Sequence, residues 1–357
     1  MIAYCTNVHP AHDLAGVLDQ LDRHAVGVRD RLEVDVLPLG LWLPASVARG
    51  LAADPVARRA FTAELTARGL SVSTLNAFPY GDFHDTVVKH AVYRPNWVDP
   101  RRLAYTKDCA TVLADLLPSS ASYGSISTLP LGWREPWTEW DDAHAEAALT
   151  ELTLFLRGLE RPVRLAVEPE PGCVLDTVAD AVEWLADRVD PAHIGVCLDT
   201  CHLAVSFADP VETVGLIRRS GLSVVKVQAS AALEVPDPRA SRDELAAFAE
   251  PRYLHQVREN TPAGVLAADD LPEAFDELPG EHPWRVHFHV PLHAAPGGGL
   301  RSTTDVLVTA VAALVEEVHV EVETYTWTVL PDAGDLTEGI AAELAWARAN
   351  LATGVAV

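Results

Sequence analysis

The chain has 357 residues, longer than an average domain and within the range that a single α/β barrel occupies. Its 27 Lys and Arg against 51 Asp and Glu give a formal net charge of -24 at pH 7, a surface that repels nucleic-acid phosphates. With 49% hydrophobic and 22% charged residues it has the composition of a folded globule, and no apolar run approaches the ~20 residues that cross a bilayer, which excludes membrane insertion by a helix.

The N-terminal Met1-Ile-Ala-Tyr-Cys5 shows no basic segment leading into an apolar one, and five cysteines are an odd number for a disulfide framework. Both features set the expectation of a cytoplasmic protein. Short apolar runs then predict strands at residues 2–7, 33–39, 70–76, 123–131, 163–168, 193–199, 222–228, 284–291 and 319–325. Between most of them lie alanine- and leucine-rich segments of helical spacing, at 54–67, 99–117, 141–159, 177–188 and 303–315. Asp or Thr stands first in each and suits an N-cap.

Strands alternating with helices imply right-handed βαβ units and a parallel sheet. Eight such units close into a barrel, so the expected class is α/β, a single (β/α)8 TIM barrel over residues 1–357. Nine candidate strands are one too many. Residues 229–283 depart from the alternation, rich in Pro, Asp and Glu, with helical patches near 242–260 and 271–278. This excursion and the run at 284–291 read as one elaborated loop, an extension over 229–291 after strand seven, and the run at 319–325 becomes strand eight.

Catalytic groups in such barrels come from the C-terminal ends of strands. Here those ends carry groups that are costly to bury alone: Glu168, Asp199 with His202 three residues on, Gln228, the alternating His287 and His289, and the alternating Glu321 and Glu323. Singly, each has a plain explanation. An Asp after a strand commonly caps a helix, a strand-end Glu pairs with Lys or Arg, and Cys197 and Cys201 have the wrong spacing for a zinc knuckle. Together, Glu168, Asp199, Glu323 and Gln228 or His289 come from different strands and converge on one barrel mouth. Mixed carboxylate, imidazole and carboxamide ligands suit a divalent ion such as Mn²⁺, Zn²⁺, Co²⁺ or Mg²⁺. Carboxylates gathered without a cation would repel and protonate, although Lys226 or an arginine could also offset them.

At these residues the sequence resembles the xylose-isomerase-like barrel superfamily, which includes sugar phosphate isomerases and epimerases and apurinic endonucleases. The resemblance runs through Glu168-x-x-x-Gly172, Asp199-x-x-His202, Gln228, His287-x-His289 and Glu323. It implies that Glu168, Asp199 and Glu323 are carboxylate metal ligands, that Glu168 and Glu323 also move protons, and that His202 or His289 orients substrate. The superfamily usually has histidine where this chain has Gln228, so the glutamine oxygen or His289 would complete the ligand set.

Longer motifs look like a narrower family. Residues 76–84, 88–97, 253–256, 287–291 and 321–327 resemble the EboE-type "metabolite traffic" proteins, encoded beside a prenyltransferase and a cyclitol-synthase-like enzyme. That likeness implies a sugar- or cyclitol-like small molecule as partner, with Asn76, Tyr80, His84, His202, His287 and Trp327 at the substrate. Trp97, Trp133 and Trp137 are further aromatic candidates or rim packing, Lys89 and Arg94 are candidate anion anchors, and the glycine-rich turn at 295–300 is a weak phosphate cradle. Three functions are consistent with these residues: a metal-dependent isomerase or epimerase, a small-phosphoester hydrolase, and a non-catalytic carrier. One bound ion favours the first, two or three the second, none the third. Barrels of this kind often pair, which makes a homodimer an expected assembly.

Overall fold

The computed structural model describes residues 2–81 and 83–351. Seven strands lead the chain, β1 (Ile2–Cys5), β2 (Leu37–Leu41), β3 (Leu70–Asn76), β4 (Gly124–Thr128), β5 (Val163–Val167), β6 (Ile194–Asp199) and β7 (Val224–Ala229). Five short strands follow, β8 (Leu233–Val235), β9 (Val257–Thr261), β10 (Gly264–Ala268), β11 (Trp284–Val286) and β12 (Arg301–Ser302), before β13 (His319–Val322). Strands β1 to β7 and β13 close a barrel in the order β1-β13-β7-β6-β5-β4-β3-β2, and every neighbouring pair is parallel. Their Val-, Leu- and Ile-rich runs are buried on both faces because helices cover the outside and side chains fill the inside.

Helices start where the capping chemistry places them. Asp54, Asp99, Asp209 and Asp335 each accept a first-turn N–H, and three of these helices carry Pro in the first turn. Thr138 and Thr177 form capping boxes with Asp141 and Asp180. The expected cap at Asp141 is therefore displaced, since Asp141 is the third residue of a helix that Thr138 opens. The strand expected at 33–39 starts later, at Leu37, because Glu33 takes φ 52 in the turn closing the preceding helix.

The excursion after β7 folds as a five-stranded sheet in the order β10-β9-β11-β8-β12, its pairs antiparallel, reaching Ser302 rather than residue 291. The helix expected over 242–260 is confined to Arg242–Ala246, and residues 257–261 are strand. Pro251 ends helical continuity, and β9 gains two sheet partners that no local pattern announces. Likewise only Trp284–Val286 of the expected 284–291 run is strand.

Inside the barrel, Lys226 and Glu321 form a salt bridge with both side chains fully buried. The Lys226 ammonium also donates to the Leu75 carbonyl at 3.1 Å and to Ser127 Oγ at 3.2 Å. Gly40 faces this pair, and a Cβ placed there would lie 1.9 Å from the Glu321 carboxylate. Strand side chains alternate, so the pair fixes Gln228 and Glu323, two residues further on, to the same interior face at the barrel's C-terminal mouth. Among the described residues, no helix is long and apolar enough to cross a membrane.

Candidate active site

Three carboxylates meet at that mouth. Glu168 follows β5 and hangs by its N–H from the Thr128 carbonyl, 3.0 Å away. Asp199 ends β6, and Glu323 follows β13 with its N–H on Ala229 O at 3.2 Å. A carboxylate oxygen of each lies within 4.8 Å of those of the other two. The two oxygens of Asp199 have different surroundings. Its Oδ1 caps the helix Thr200–Val205 through His202 N–H at 2.9 Å and accepts from Ser230 Oγ at 2.8 Å, while Oδ2 is buried without a hydrogen-bond partner. Glu323 Oε1 accepts from Asn7 Nδ2 at 2.6 Å and Asn76 Nδ2 at 2.8 Å, which fixes the plane of its carboxyl group.

His289 and Gln228 stand beside these acids. His289 Nδ1 donates to the Glu323 carbonyl at 2.8 Å, leaving Nε2 as the bare nitrogen, buried, unpartnered and 3.9 Å from Asp199 Oδ2. Both polar atoms of Gln228 are also buried without partners, as is Glu168 Oε2. Unsatisfied buried polar atoms are rare in native folds, and here they gather in one place. Burial drives the Glu168 and Glu323 carboxyls well above their usual range, each reinforced by neighbouring acids and offset by Lys226. Burial also lowers His289 to about 4, so its ring is a neutral donor of a lone pair. Acids that repel one another, a neutral imidazole and a spare carboxamide oxygen fit a divalent cation, which would satisfy the orphaned oxygens and the His289 nitrogen together.

A second group lies against the first. Glu170, His202 and His287 also bring ligand atoms within 4.8 Å of one another. His202 Nδ1 donates to Pro169 O at 2.8 Å, and His287 Nδ1 donates to Gln256 Oε1 at 2.6 Å. Gln256 cannot be turned about, because its Nε2 is already committed to the Pro171 carbonyl at 2.9 Å. The two Nε2 atoms then face each other at 3.0 Å. Glu170 takes the Tyr93 hydroxyl at 2.7 Å, and burial raises it to about 7. Gly172, at φ 89, lets the chain turn under this group where a Cβ would strike Trp133.

Both groups open into a cavity of ≈ 500 Å³, its open mouth included. Glu168, Glu170, Glu323, His202, His287 and His289 form its polar floor, and Phe78, Phe83, Tyr93, Tyr253, Leu254 and Tyr325 its walls. Of the remaining residues expected at substrate, Asn76 reaches the site only through Glu323. His84 is bonded to the Asn7 carbonyl at 2.7 Å, and Tyr80 packs on Tyr105. Trp327 is held on the C-terminal helix, its Nε1 on Glu343 at 2.7 Å, and none of these three lines the cavity. Trp97 and Trp137 likewise spend their N–H groups on Thr128 and Asp142, while Trp133 packs against Tyr93 and His90. Arg94 is exposed away from the cavity, and the glycine-rich turn gives the Gly299 N–H to Glu244.

Asn7, Tyr93, Glu170, Tyr253, Gln256 and Tyr325 are site residues to which sequence reasoning gave no role, although four of them lie in the motifs at 88–97, 253–256 and 321–327. Asn7 stands at the end of the first predicted strand and Glu170 two residues after Glu168, so both carried a positional signal. Tyr93 and Gln256 arrive from loops, where no periodicity points inward.

The xylose isomerase-like TIM barrel family model matches residues 41–250. Among solved structures, the chain is similar to an IolI protein with a bound zinc atom, at 13% identity over 98% of this chain and 97% of that one, TM-score 0.55. It is similar to a xylose isomerase-like TIM barrel protein from Mycobacterium smegmatis in complex with magnesium, at 14% identity over 98% and 97%, TM-score 0.53. A D-psicose 3-epimerase crystallised in the presence of D-fructose matches at 13% identity over 98% and 99%, TM-score 0.53. At such identities these likenesses show the fold. No curated protein matches the chain.

Proposed function

The chain belongs to the xylose isomerase-like TIM barrel family, and from that premise we propose that it is a divalent-metal-dependent isomerase or epimerase of a sugar- or cyclitol-like metabolite. The observation that carries the reading is the meeting of Glu168 and Glu323 at the floor of a cavity with Asp199 behind them, and with His289 Nε2 and Gln228 beside them and without partners. These five residues would hold the cation. When bound it supplies Lewis-acid polarisation of a substrate carbonyl oxygen.

The chain's own groups supply the rest. Glu168 and Glu323 stand three strands apart around the barrel, directly after β5 and β13, so they reach a substrate from different sides. One takes the proton from the carbon beside the carbonyl and the other returns it, the two-base arrangement that inverts a centre. Asn7 and Asn76 hold the Glu323 carboxyl in one orientation, and the His202–His287 pair lines the cavity beside it. The aromatic walls exclude water and cover the C–H faces of a ring. The zinc, magnesium and D-fructose named for the similar structures support this chemistry. The long motifs at 76–84 and 321–327 support its narrower placement among metabolite-traffic proteins with a cyclitol-like substrate.

The test is proton exchange. Metal-loaded protein is incubated in D₂O with free ketoses and cyclitol ketones, and deuterium entering the carbon beside the carbonyl is followed by NMR. Glu323→Gln and Glu168→Gln are each expected to lower exchange by about 10²–10⁴-fold, the range for a positioned acid or base, with unchanged circular dichroism. Full exchange in either variant refutes its role. Gln228 in the usual histidine position favours a second reading, a non-catalytic carrier, for which a bound sugar would exchange no proton at all.

A further inference from the structure

The charge of the substrate is written in the cavity wall. Phosphate groups are held by arginine forks, by lysine or by free N–H groups, and the lining offers little of this. Lys89 is the only Lys or Arg among the described lining residues. Its ammonium is already engaged by Asp270 Oδ2. That carboxylate is itself fixed from the other side, since Asp270 Oδ1 accepts the His255 N–H at 3.1 Å and the Leu271 N–H at 3.0 Å. Lys89 is anchored too, its main-chain N–H on the Arg252 carbonyl at 2.9 Å. The next cation inward, Lys226, is consumed by Glu321.

Against this stand Glu168, Glu170 and Glu323 in the lining, with Asp199 immediately behind. A divalent cation balances only two of the three carboxylates that would hold it, Glu168, Asp199 and Glu323. The N–H groups opening the helix Thr200–Val205 offer no relief, because Asp199 Oδ1 caps that turn. A phosphate dianion would enter a region of its own sign and find its one potential partner occupied. An uncharged polyol meets the opposite conditions: acceptors and imidazole edges below, and Phe78, Phe83, Tyr253 and Tyr325 to cover its C–H faces.

Resting on the reading of the cavity as a sugar or cyclitol site, we infer that it selects unphosphorylated, uncharged polyhydroxy substrates and rejects their phosphate esters, and that Asp270 enforces this choice by occupying Lys89. Asp270 is a specificity-determining residue on the rim, outside the reacting groups.

Calorimetric titration of the Mn²⁺-loaded full chain with D-fructose, myo-inositol and their monophosphates tests it. The wild type is expected to bind at least one free compound at least tenfold more tightly than its ester. Asp270→Asn keeps an oxygen for the two N–H groups and removes the charge, so the ratio should narrow at least threefold as Lys89 becomes free. Adding Lys89→Met to that variant should restore the wild-type ratio, whereas Lys89→Met alone should leave it unchanged. An ester that binds the wild type as tightly as the free compound overturns the inference while leaving the sugar-site reading standing. So does a loss of ester binding in Lys89→Met alone, a measurement that holds even where Asp270→Asn fails to fold. Failure of every compound, free and esterified, overturns the site reading and the inference with it.

Discussion

One buried lysine governs how the acids of this barrel coexist. Lys226 balances Glu321 beneath the site, and its charge also moderates the raised Glu168 and Glu323. Removing one member of a buried pair leaves an uncompensated charge, at ~3–5 kcal/mol. Lys226→Met should therefore lower urea-unfolding stability by about that amount, and adding Glu321→Leu should recover more than half of it. A double variant no more stable than the single would show that the pair is not the coupled unit drawn here. At this scale the sequence was informative where chemistry and position coincide. Glu168, Asp199 and Glu323 could be picked out because costly groups end or follow apolar strands, and His289 because it alternates with His287. Tyr80, His84 and Trp327 sit in motifs as suggestive, yet their polar atoms or rings are taken up by Asn7, Tyr105 and Glu343. Nothing in a linear motif states which neighbour a side chain will meet.

The segment 250–255 shows how a loop becomes part of a cavity. Glu250 accepts the Arg252 N–H at 2.7 Å and the Tyr253 N–H at 2.8 Å, which makes it a carboxylate held below its usual range despite burial. His255, fully buried, places Nε2 on that carboxylate at 2.8 Å and Nδ1 on the His287 carbonyl at 2.9 Å. Both nitrogens face oxygens, so the ring is latched between the loop and β11's continuation. The latch holds Tyr253 and Leu254 in the wall, and the Arg252 carbonyl ties down residues 88 and 89. His255→Ala should open this wall: KM for a turned-over sugar is expected to rise about tenfold, equivalent to ~1.4 kcal/mol, with kcat changed less than about threefold. An equal fall in kcat with KM unmoved would instead place His255 in the chemistry. The eight barrel strands were legible because each is a local apolar run between capped helices. The sheet from β8 to β12 was not, because its strands are two to five residues long and paired across up to 69 positions, as Arg301 is with Glu234 and Ser302 with Leu233; such pairing leaves little trace in a short window.

Across the whole molecule, acid crowding sets the direction in which stability moves with pH. Without a cation, burial holds Glu168 and Glu323 protonated far above 4.5 and lifts Glu170 and Glu343 to about 7. Unfolding returns each to its ordinary value near 4.5, so the folded chain binds more protons than the unfolded one between the two values. The stabilisation from these protonated acids is complete below about 4.5 and is lost as pH rises towards and beyond 7. The formal charge of -24 acts in the same direction, since self-repulsion grows as the remaining acids ionise. A cation held there would reverse the slope locally, because it would take the place of the protons on Glu168 and Glu323 and bind only where the barrel has brought them together. EDTA-treated protein should therefore melt at a lower temperature at pH 7.5 than at pH 5.5, and about 1 mM Mn²⁺ should raise the melting temperature more at pH 7.5 than at pH 5.5. A metal-free protein that gains stability across that interval would mean that the floor acids are ionised and balanced by the chain itself, and a cation would then have no charge left to neutralise.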